Sequence, residues 1–170
     1  MDPADARQEI KRPVRVSLPP MTAPAWATWL GLALRTYAED KIRIGAWPAD
    51  GAEAKARDEF AKLVPDGRST PGHDFRSIVS EAGETVGALW LGPDEAIGQG
   101  SLFIWDIGID AEFRGRGYAR AALEAIEPVA RALGYDSIRL HVFGDNEVAR
   151  RLYRSAGYLE TDVSMLKRLG

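Results

Sequence analysis

Two glycines alternate with arginines in the stretch RGRG at residues 114–117, where a strand-like pattern gives way to a helix-like one. The first N–H groups of a helix have no intrahelical acceptor, and the helix dipole adds partial positive charge at the same end. Glycine leaves the backbone open to a ligand, and arginine offers charge-assisted hydrogen bonds to phosphate. The stretch therefore predicts an anion-binding turn, with a plain glycine-rich turn between solvated arginines as the alternative.

Two common phosphate-binding loops do not fit this spacing. A P-loop ends in Gly-Lys-Ser or Gly-Lys-Thr, and no such triplet occurs in the chain. A dinucleotide-binding fingerprint needs glycine or alanine three residues after Gly117, and that position is Arg120. The sequence therefore disfavours a nucleotide-dependent oxidoreductase.

Composition limits what the anion can belong to. The 170 residues carry 22 Lys and Arg against 25 Asp and Glu, and a formal net charge of -3 provides no general attraction to nucleic acid or to an anionic membrane. Cysteine is absent and His73 lies far from His141, so neither thiolate chemistry nor a metal site is expected. No segment resembles a signal peptide or a membrane span. We expect a cytoplasmic enzyme or binding protein.

Hydrophobic periodicity predicts the elements that must position this turn. Residues 1–12 are predicted to be a flexible lead-in, and 13–170 to form one domain. The first half indicates a strand from Val14, two helices within 22–64 and a hairpin that turns at Gly83. The second half indicates, in order, a strand from Ser101, a helix ended by Gly134, a strand over 137–143, a short helix from Asn146 and a strand over 158–168. These elements predict a mixed α/β domain with a central sheet of about six or seven strands and helices on both faces.

A second block, NEVARRLYRSAGY at residues 146–158, follows the strand predicted over 137–143. RGRGYA matches the Arg/Gln-x-x-Gly-x-Gly/Ala signature of the GNAT superfamily of N-acetyltransferases, and the second block matches its Asn-x-x-Ala-x-x-Leu-Tyr pattern and Gly-aromatic pair. The matching residues are Arg114, Gly117, Ala119, Asn146, Ala149, Leu152, Tyr153, Gly157 and Tyr158. The chain therefore resembles this superfamily, closely over residues 101–170. The segment 22–64 matches only in general position and would form the substrate side.

This resemblance implies that acetyl-CoA is a co-substrate and that no metal is needed. The strand ending at Ile109 and the strand beginning near Ser137 would part and admit the pantetheine arm. The backbone of Ile107 and Ile109 would hold that arm and the acetyl carbonyl, and Asn146 would contact the pantetheine or only cap its helix. The pyrophosphate would be held by Arg114, Gly115, Arg116, Gly117, Tyr118 and Ala119.

The resemblance assigns Tyr153 to chemistry, as a proton or hydrogen-bond donor to the departing CoA thiolate, with packing against the sheet as the alternative. The attacking amine must also lose a proton, because an alkylammonium ion has no lone pair. Many family members carry a glutamate where this chain has Gly108, so the usual base is missing. Asp106 is one substitute, since strand alternation places it on the same face as position 108. Glu39, Asp40 and a water chain to solvent are the others.

The predicted function is direct transfer of an acetyl group to a primary amine of a small molecule or peptide. Two alternatives stay open: a sensor that binds acyl-CoA without turnover, and an acyltransferase that uses another acyl-CoA or an alcohol acceptor. The segment 22–64 and the loop over 93–100 would shape the acceptor pocket without identifying its occupant. No nucleic-acid or membrane partner is expected, and the sequence leaves open whether the protein forms a homodimer.

Overall fold

The computed structural model describes residues 13–94, 100–167 and 169. The predicted lead-in over 1–12 lies outside these residues, as does most of the predicted loop over 93–100. The strands are β1 (Val16–Ser17), β2 (Asp74–Ser80), β3 (Thr85–Gly92), β4 (Ser101–Ile109) and β5 (Ser137–Leu140). The α-helices are α1 (Ala23–Arg43), α2 (Ala52–Leu63), α3 (Tyr118–Ala132) and α4 (Glu147–Ser155).

The described strands form one mixed sheet in the order β1-β2-β3-β4-β5. The first three pairs are antiparallel, and the predicted hairpin joins β2 to β3 through Gly83, whose φ of 84° suits glycine. β4 and β5 are parallel, so the chain must cross over between them, and α3 makes that crossover. The predicted mixed sheet is confirmed.

Helices cover both faces of this sheet, as predicted. On one face, Ile126 of α3 and Leu152 of α4 pack against a core that includes Leu89 and Leu102. On the other face, α1 packs through Trp29, and α2 packs in turn against α1. The substrate-side segment predicted over 22–64 is therefore a helical layer on the face opposite α3.

The start of α1 follows the predicted signal. The Thr22 hydroxyl accepts a hydrogen bond from the N–H of Ala25 at 3.3 Å, and Pro24 occupies the first turn, where a missing N–H removes no helical bond. This cap fixes where the helix begins, and thereby which of its side chains face the sheet.

The prediction of six or seven strands is wrong for the described residues, which form five. Residues 158–167 were predicted to be a strand but have no strand partner, and the side chains of Leu159, Val163 and Met165 are 70–90% exposed. Glu160 accepts hydrogen bonds from Arg150 and Arg154, which hold the start of this segment against α4. Strand-like alternation alone does not form a strand, because pairing requires a neighbouring edge.

Candidate active site

β4 carries one extra residue relative to its neighbour β3. Leu91 pairs with Ile104, whereas the preceding Trp90 pairs with Asp106, so Trp105 is left without a pairing partner on β3. Ile104 and Ile107 pack into the core under α3, while Trp105 packs on the α1 face. This β-bulge places Trp105 and Asp106 in succession on the α1 side of the sheet.

The parallel pair of β4 and β5 parts directly beside this bulge. Pairing runs from Ser101 opposite Ser137 to Ile104 opposite Leu140 and stops there, although β4 continues to Ile109. A cavity of about 180 Å³ lies where the strands separate. Its lining residues are Asp40, Ile104, Trp105, Asp106, Ile107, Leu140, His141, Val142, Phe143, Asn146 and Tyr153. The separation is the one expected for a strand pair that admits an extended ligand.

Asp106 is the partly buried acid of this cavity. Its Oδ2 accepts a hydrogen bond from the indole Nε1 of Trp29 at 2.7 Å. Burial raises the pKa of Asp106 above its ordinary value, and hydrogen bonds from Trp29 and from the backbone of Ile107 partly oppose that rise. The carboxylate is therefore a stronger base than that of an exposed aspartate, and Asp106 lines the cavity.

Tyr153 reaches the same cavity from α4. Its ring packs against the core and lies 5.8 Å from the ring of Tyr158, centroid to centroid. Burial, and secondly the charge of Asp106, raise the pKa of Tyr153 above its ordinary value. The phenol therefore stays protonated at neutral pH and can donate a hydrogen bond.

The other two candidate acids are placed differently. Glu39 is exposed on α1 and does not line the cavity. Asp40 lines the cavity, but its Oδ1 accepts a hydrogen bond from Arg43 at 2.9 Å. Arg43 also pairs with Asp145 and lies over the ring of Phe143, 5.2 Å from its centroid. Among the three candidate acids, only Asp106 combines a cavity position with freedom from a cationic partner within the described chain.

The glycine-arginine turn has the open helix start that its sequence predicts. Gly115 and Gly117 have φ values of 72° and 89°, and Gly117 occupies the N-cap position of α3 without a side-chain cap. Within the described residues, no backbone carbonyl accepts a hydrogen bond from the N–H groups of residues 115–120. Such a cradle of N–H groups fits a phosphate, which supplies several acceptor oxygens.

The two arginines of this turn contact residues that precede it in the chain. Arg114 donates from Nε to the carbonyl of Ile109 at 2.9 Å, and the guanidinium of Arg116 lies over the ring of Phe113, 5.6 Å from its centroid. Both side chains are exposed, so each guanidinium has further N–H donors on the solvent side. The bond from Arg114 ties the predicted pyrophosphate turn to the end of β4.

The remaining predicted site residues are Ile107, Ile109 and Asn146, and two of these three line the cavity. Ile107 lines the cavity, whereas Ile109 does not, and the carbonyl of Ile109 already accepts the bond from Arg114. Asn146 lines the cavity and also caps α4, since its Oδ1 accepts from the N–H of Ala149 at 3.1 Å. The capping role of Asn146 is thus present, and it leaves the amide NH₂ facing outward from the cap.

Among the cavity residues that sequence reasoning did not single out as site residues, one continuous run is His141, Val142 and Phe143. They directly follow Leu140, the last residue of β5 that pairs with β4. The only signal was the prediction that the two strands part, which placed the opening near this end without fixing where pairing stops. Trp105 also lines the cavity, and its ring stacks on that of Trp90 with 5.4 Å between centroids.

Two further observations bear on the kind of site. Within the described chain, no three His, Asp or Glu side chains are grouped so as to hold a metal ion. None of the helices described is both long enough and apolar enough to span a membrane.

Comparison with known proteins places this fold among the acetyltransferases. Residues 36–158 match the sequence model of the Acetyltransferase (GNAT) family. That range contains both the glycine-arginine turn and the cavity. The chain therefore belongs to the GNAT family of acetyltransferases.

Two relatives from Bacillus subtilis (strain 168) match nearly the whole chain. The uncharacterized N-acetyltransferase YycN is 36% identical over 154 residues, which are 91% of this chain and 99% of the relative. The uncharacterized N-acetyltransferase YdgE is 35% identical over 153 residues, 90% of this chain and 98% of that protein. The crystal structure of YycN superposes with a TM-score of 0.84, covering 91% of this chain and 98% of that one.

A more distant likeness concerns the fold alone. The structure of AAC(6')-Iy in complex with the bisubstrate analog CoA-S-monomethyl-acetylneamine has a TM-score of 0.58 at 16% identity. The match covers 92% of this chain and 99% of that one.

Proposed function

We propose that the protein transfers the acetyl group of acetyl-CoA to a primary amine by direct attack in a ternary complex. The observation that carries this proposal is the cavity between β4 and β5, which both Asp106 and Tyr153 line. One group can accept a proton and the other can donate a hydrogen bond, which are the two requirements of acyl transfer from a thioester to an amine.

The residues present fit acetyl-CoA, which supplies an electrophilic acyl carbon when bound. The open N–H groups of residues 115–119, with Arg114 and Arg116, would hold the pyrophosphate. The backbone of Ile107 and Ile109, at the parted edge of β4, would hold the pantetheine arm as an added strand would be held, and Asn146 would contact it from α4. No covalent acyl-cysteine is involved, because the chain contains no cysteine.

Asp106 is the base in this scheme. An alkylammonium ion has a pKa of about 10.4, so the amine acceptor is protonated at neutral pH. It must lose a proton before its nitrogen can attack. Burial raises the pKa of Asp106, which narrows the gap between base and ammonium ion. Asp106 accepts the first proton from the ammonium nitrogen before the attack. As the C–N bond forms and the C–S bond breaks, the nitrogen loses its second proton to solvent and the sulfur leaves with the electron pair of the C–S bond.

Tyr153 stabilises that sulfur by hydrogen bonding rather than by complete proton transfer. A phenol has a pKa of about 10 and a thiol a pKa of about 8.5, so complete proton transfer from the phenol to the thiolate in water is uphill by about 2 kcal/mol. Burial and Asp106 raise the pKa of Tyr153 further, which makes full transfer less favourable still. A hydrogen bond inside a partly buried site can still lower the barrier.

A thiol-release assay over amines, polyamines, aminoglycosides, amino acids and peptide N-termini tests the proposal. We expect at least one amine to stimulate CoA release, and Asp106→Asn to reduce the stimulated rate by about 10²-fold or more. Glu39→Gln is the matched control, because Glu39 is an exposed acid outside the cavity. Tight acetyl-CoA binding with no stimulation by any acceptor would favour the sensor, and stimulation by alcohols alone would favour an O-acyltransferase.

A further inference from the structure

The hydrogen bond between Trp29 and Asp106 joins two residues that are 77 positions apart. Trp29 lies on α1, in the layer over the sheet, and Asp106 follows the bulge in β4. Within the described chain, this is the one side-chain hydrogen bond that Asp106 accepts, and its N···O distance is 2.7 Å. A short bond from a neutral donor to a carboxylate is of the charge-assisted kind, which is stronger than a bond between two neutral groups.

The indole of Trp29 is held rigidly where it makes this bond. Its side chain is buried, at 8% exposure, and its ring contacts Phe75 at 5.3 Å, Trp90 at 5.7 Å and Phe60 at 6.5 Å between centroids. These aromatic neighbours come from α2, β2 and β3, so the ring is surrounded by several elements. The donor is therefore preorganised, and the carboxylate that it holds is fixed in direction.

Among the residues that the structure describes, no cationic side chain compensates the charge of Asp106 inside the cavity. The ionisable groups that face it are Tyr153 from α4, Asp40 from α1 and His141 after β5, and the described lining contains no Lys or Arg. Asp40 is itself engaged by Arg43. The N–H groups of Trp29 and of the Ile107 backbone are then the groups that stabilise the ionised form of Asp106.

We propose that Trp29 is a positioning residue for the reaction: its indole N–H orients the Asp106 carboxylate toward the cavity and favours the ionised form that accepts the proton. This inference rests on the proposed function, in which Asp106 is the base. Trp29 itself is not among the residues that line the cavity, so it would act through Asp106.

Trp29→Phe tests the inference, with Trp26→Phe as the matched control on the same helix. Phenylalanine keeps an aromatic ring and removes the N–H. Trp26 Nε1 is buried without a hydrogen-bond partner among the described residues, so Trp26→Phe removes a similar N–H and breaks no bond. If Trp29→Phe fails to fold, benzothienylalanine inserted at position 29 keeps the bicyclic shape and lacks only the N–H.

Two titrations are compared for each variant. The first follows the Asp106 carboxyl carbon by ¹³C NMR in the absence of substrates, with the resonance assigned from its loss in Asp106→Asn. The second follows kcat/KM against pH. We expect Trp29→Phe to move both midpoints upward by about one to two pH units, because a hydrogen bond to the charged form is lost. Trp26→Phe should move neither, and the KM for acetyl-CoA should stay unchanged in both.

The two readouts separate this inference from the proposed function. An Asp106 carboxyl that titrates at the same pH with and without the Trp29 N–H overturns the positioning role. If the titration midpoint of the Asp106 carboxyl group moves while the kcat/KM profile stays in place, Trp29 does stabilise the ionised Asp106. The same result refutes Asp106 as the base.

Discussion

Asp106→Asn removes the proposed base, and Gly108 offers a place on the same strand face to restore one. Gly108 pairs with Ala88 of the neighbouring strand β3. It lies two positions after Asp106 in β4, which is about 6.6 Å along the strand. A Cβ built on Gly108 meets no atom within 4 Å, and the residue is exposed. Glutamate at 108 should therefore fit without displacing a neighbour, and its longer side chain should reach back toward the cavity.

The magnitudes follow from the two sites. General-base catalysis contributes about 10² to 10⁴ in rate, so Asp106→Asn should lower kcat/KM by that factor. Adding Gly108→Glu to this variant should recover at least about tenfold of the loss. Gly108→Glu should not destabilise the fold, because glycine in a strand loses more conformational entropy on folding than other residues do. Replacing it lowers this unfavourable free energy of folding by up to about 1 kcal/mol.

The pH profile gives this prediction its sharpest readout. Burial raises the pKa of Asp106, whereas a glutamate at exposed position 108 should titrate near its ordinary value of about 4.3. The acid limb of kcat/KM should therefore lie at lower pH in the Asp106→Asn, Gly108→Glu double variant than in the wild type. The assay is CoA release with the best amine of the screen, and Asp106→Asn with Gly108→Gln is the control. Equal activity of the Glu and Gln double variants would refute the argument that this face of β4 carries the base.

Three further outcomes are expected. Folding raises the pKa of Asp106, so the folded protein loses stability relative to the unfolded chain as pH rises through that pKa. The Asp106→Asn variant should therefore have a higher Tm than the wild type near neutral pH. Thermal denaturation should show this difference in Tm vanishing below about pH 4. Tyr153→Phe should lower kcat by about 10- to 100-fold while sparing acetyl-CoA affinity measured by calorimetry, and an unchanged kcat would return Tyr153 to a packing role. Arg116→Ala should weaken acetyl-CoA binding and reduce its salt dependence in calorimetry, whereas Arg131→Ala, at the far end of α3, should do neither; equal effects would remove Arg116 from the pyrophosphate site.

The sequence predicted well those elements whose signals are local. Thr22 and Pro24 marked the start of α1, and the run from Ser101 to Ile109 is β4 as predicted. The open helix start after the glycine-arginine turn was also predictable, because it depends only on a strand-to-helix junction and on glycines with positive φ.

Non-local features could not be predicted in the same way. The strand expected over 158–168 depended on an edge to pair with, and Glu160 instead binds Arg150 and Arg154 on the preceding helix. The sequence identified Asp106 as one candidate base but not its donor, because the bond from Trp29 depends on how α1 packs across the sheet. The sequence also could not distinguish Glu39 from Asp40 as candidate bases. In the structure Glu39 is exposed, and Asp40 forms an ion pair with Arg43.

The extra residue in β4 affects the shape of the strand at the site and leaves the face on which Asp106 lies unchanged. Since Trp105 is the residue without a partner on β3, a chain lacking it would keep Ile104 and Ile107 in the core and Asp106 on the α1 face. What such a chain would lose is the bend that a bulge introduces at the point where β5 leaves β4. The bend is thus encoded by the length of the strand, and the acid beside it by the identity of one side chain. Insertions and deletions in β4 would accordingly change ligand access, and through the burial of Asp106 they would change its basicity as well.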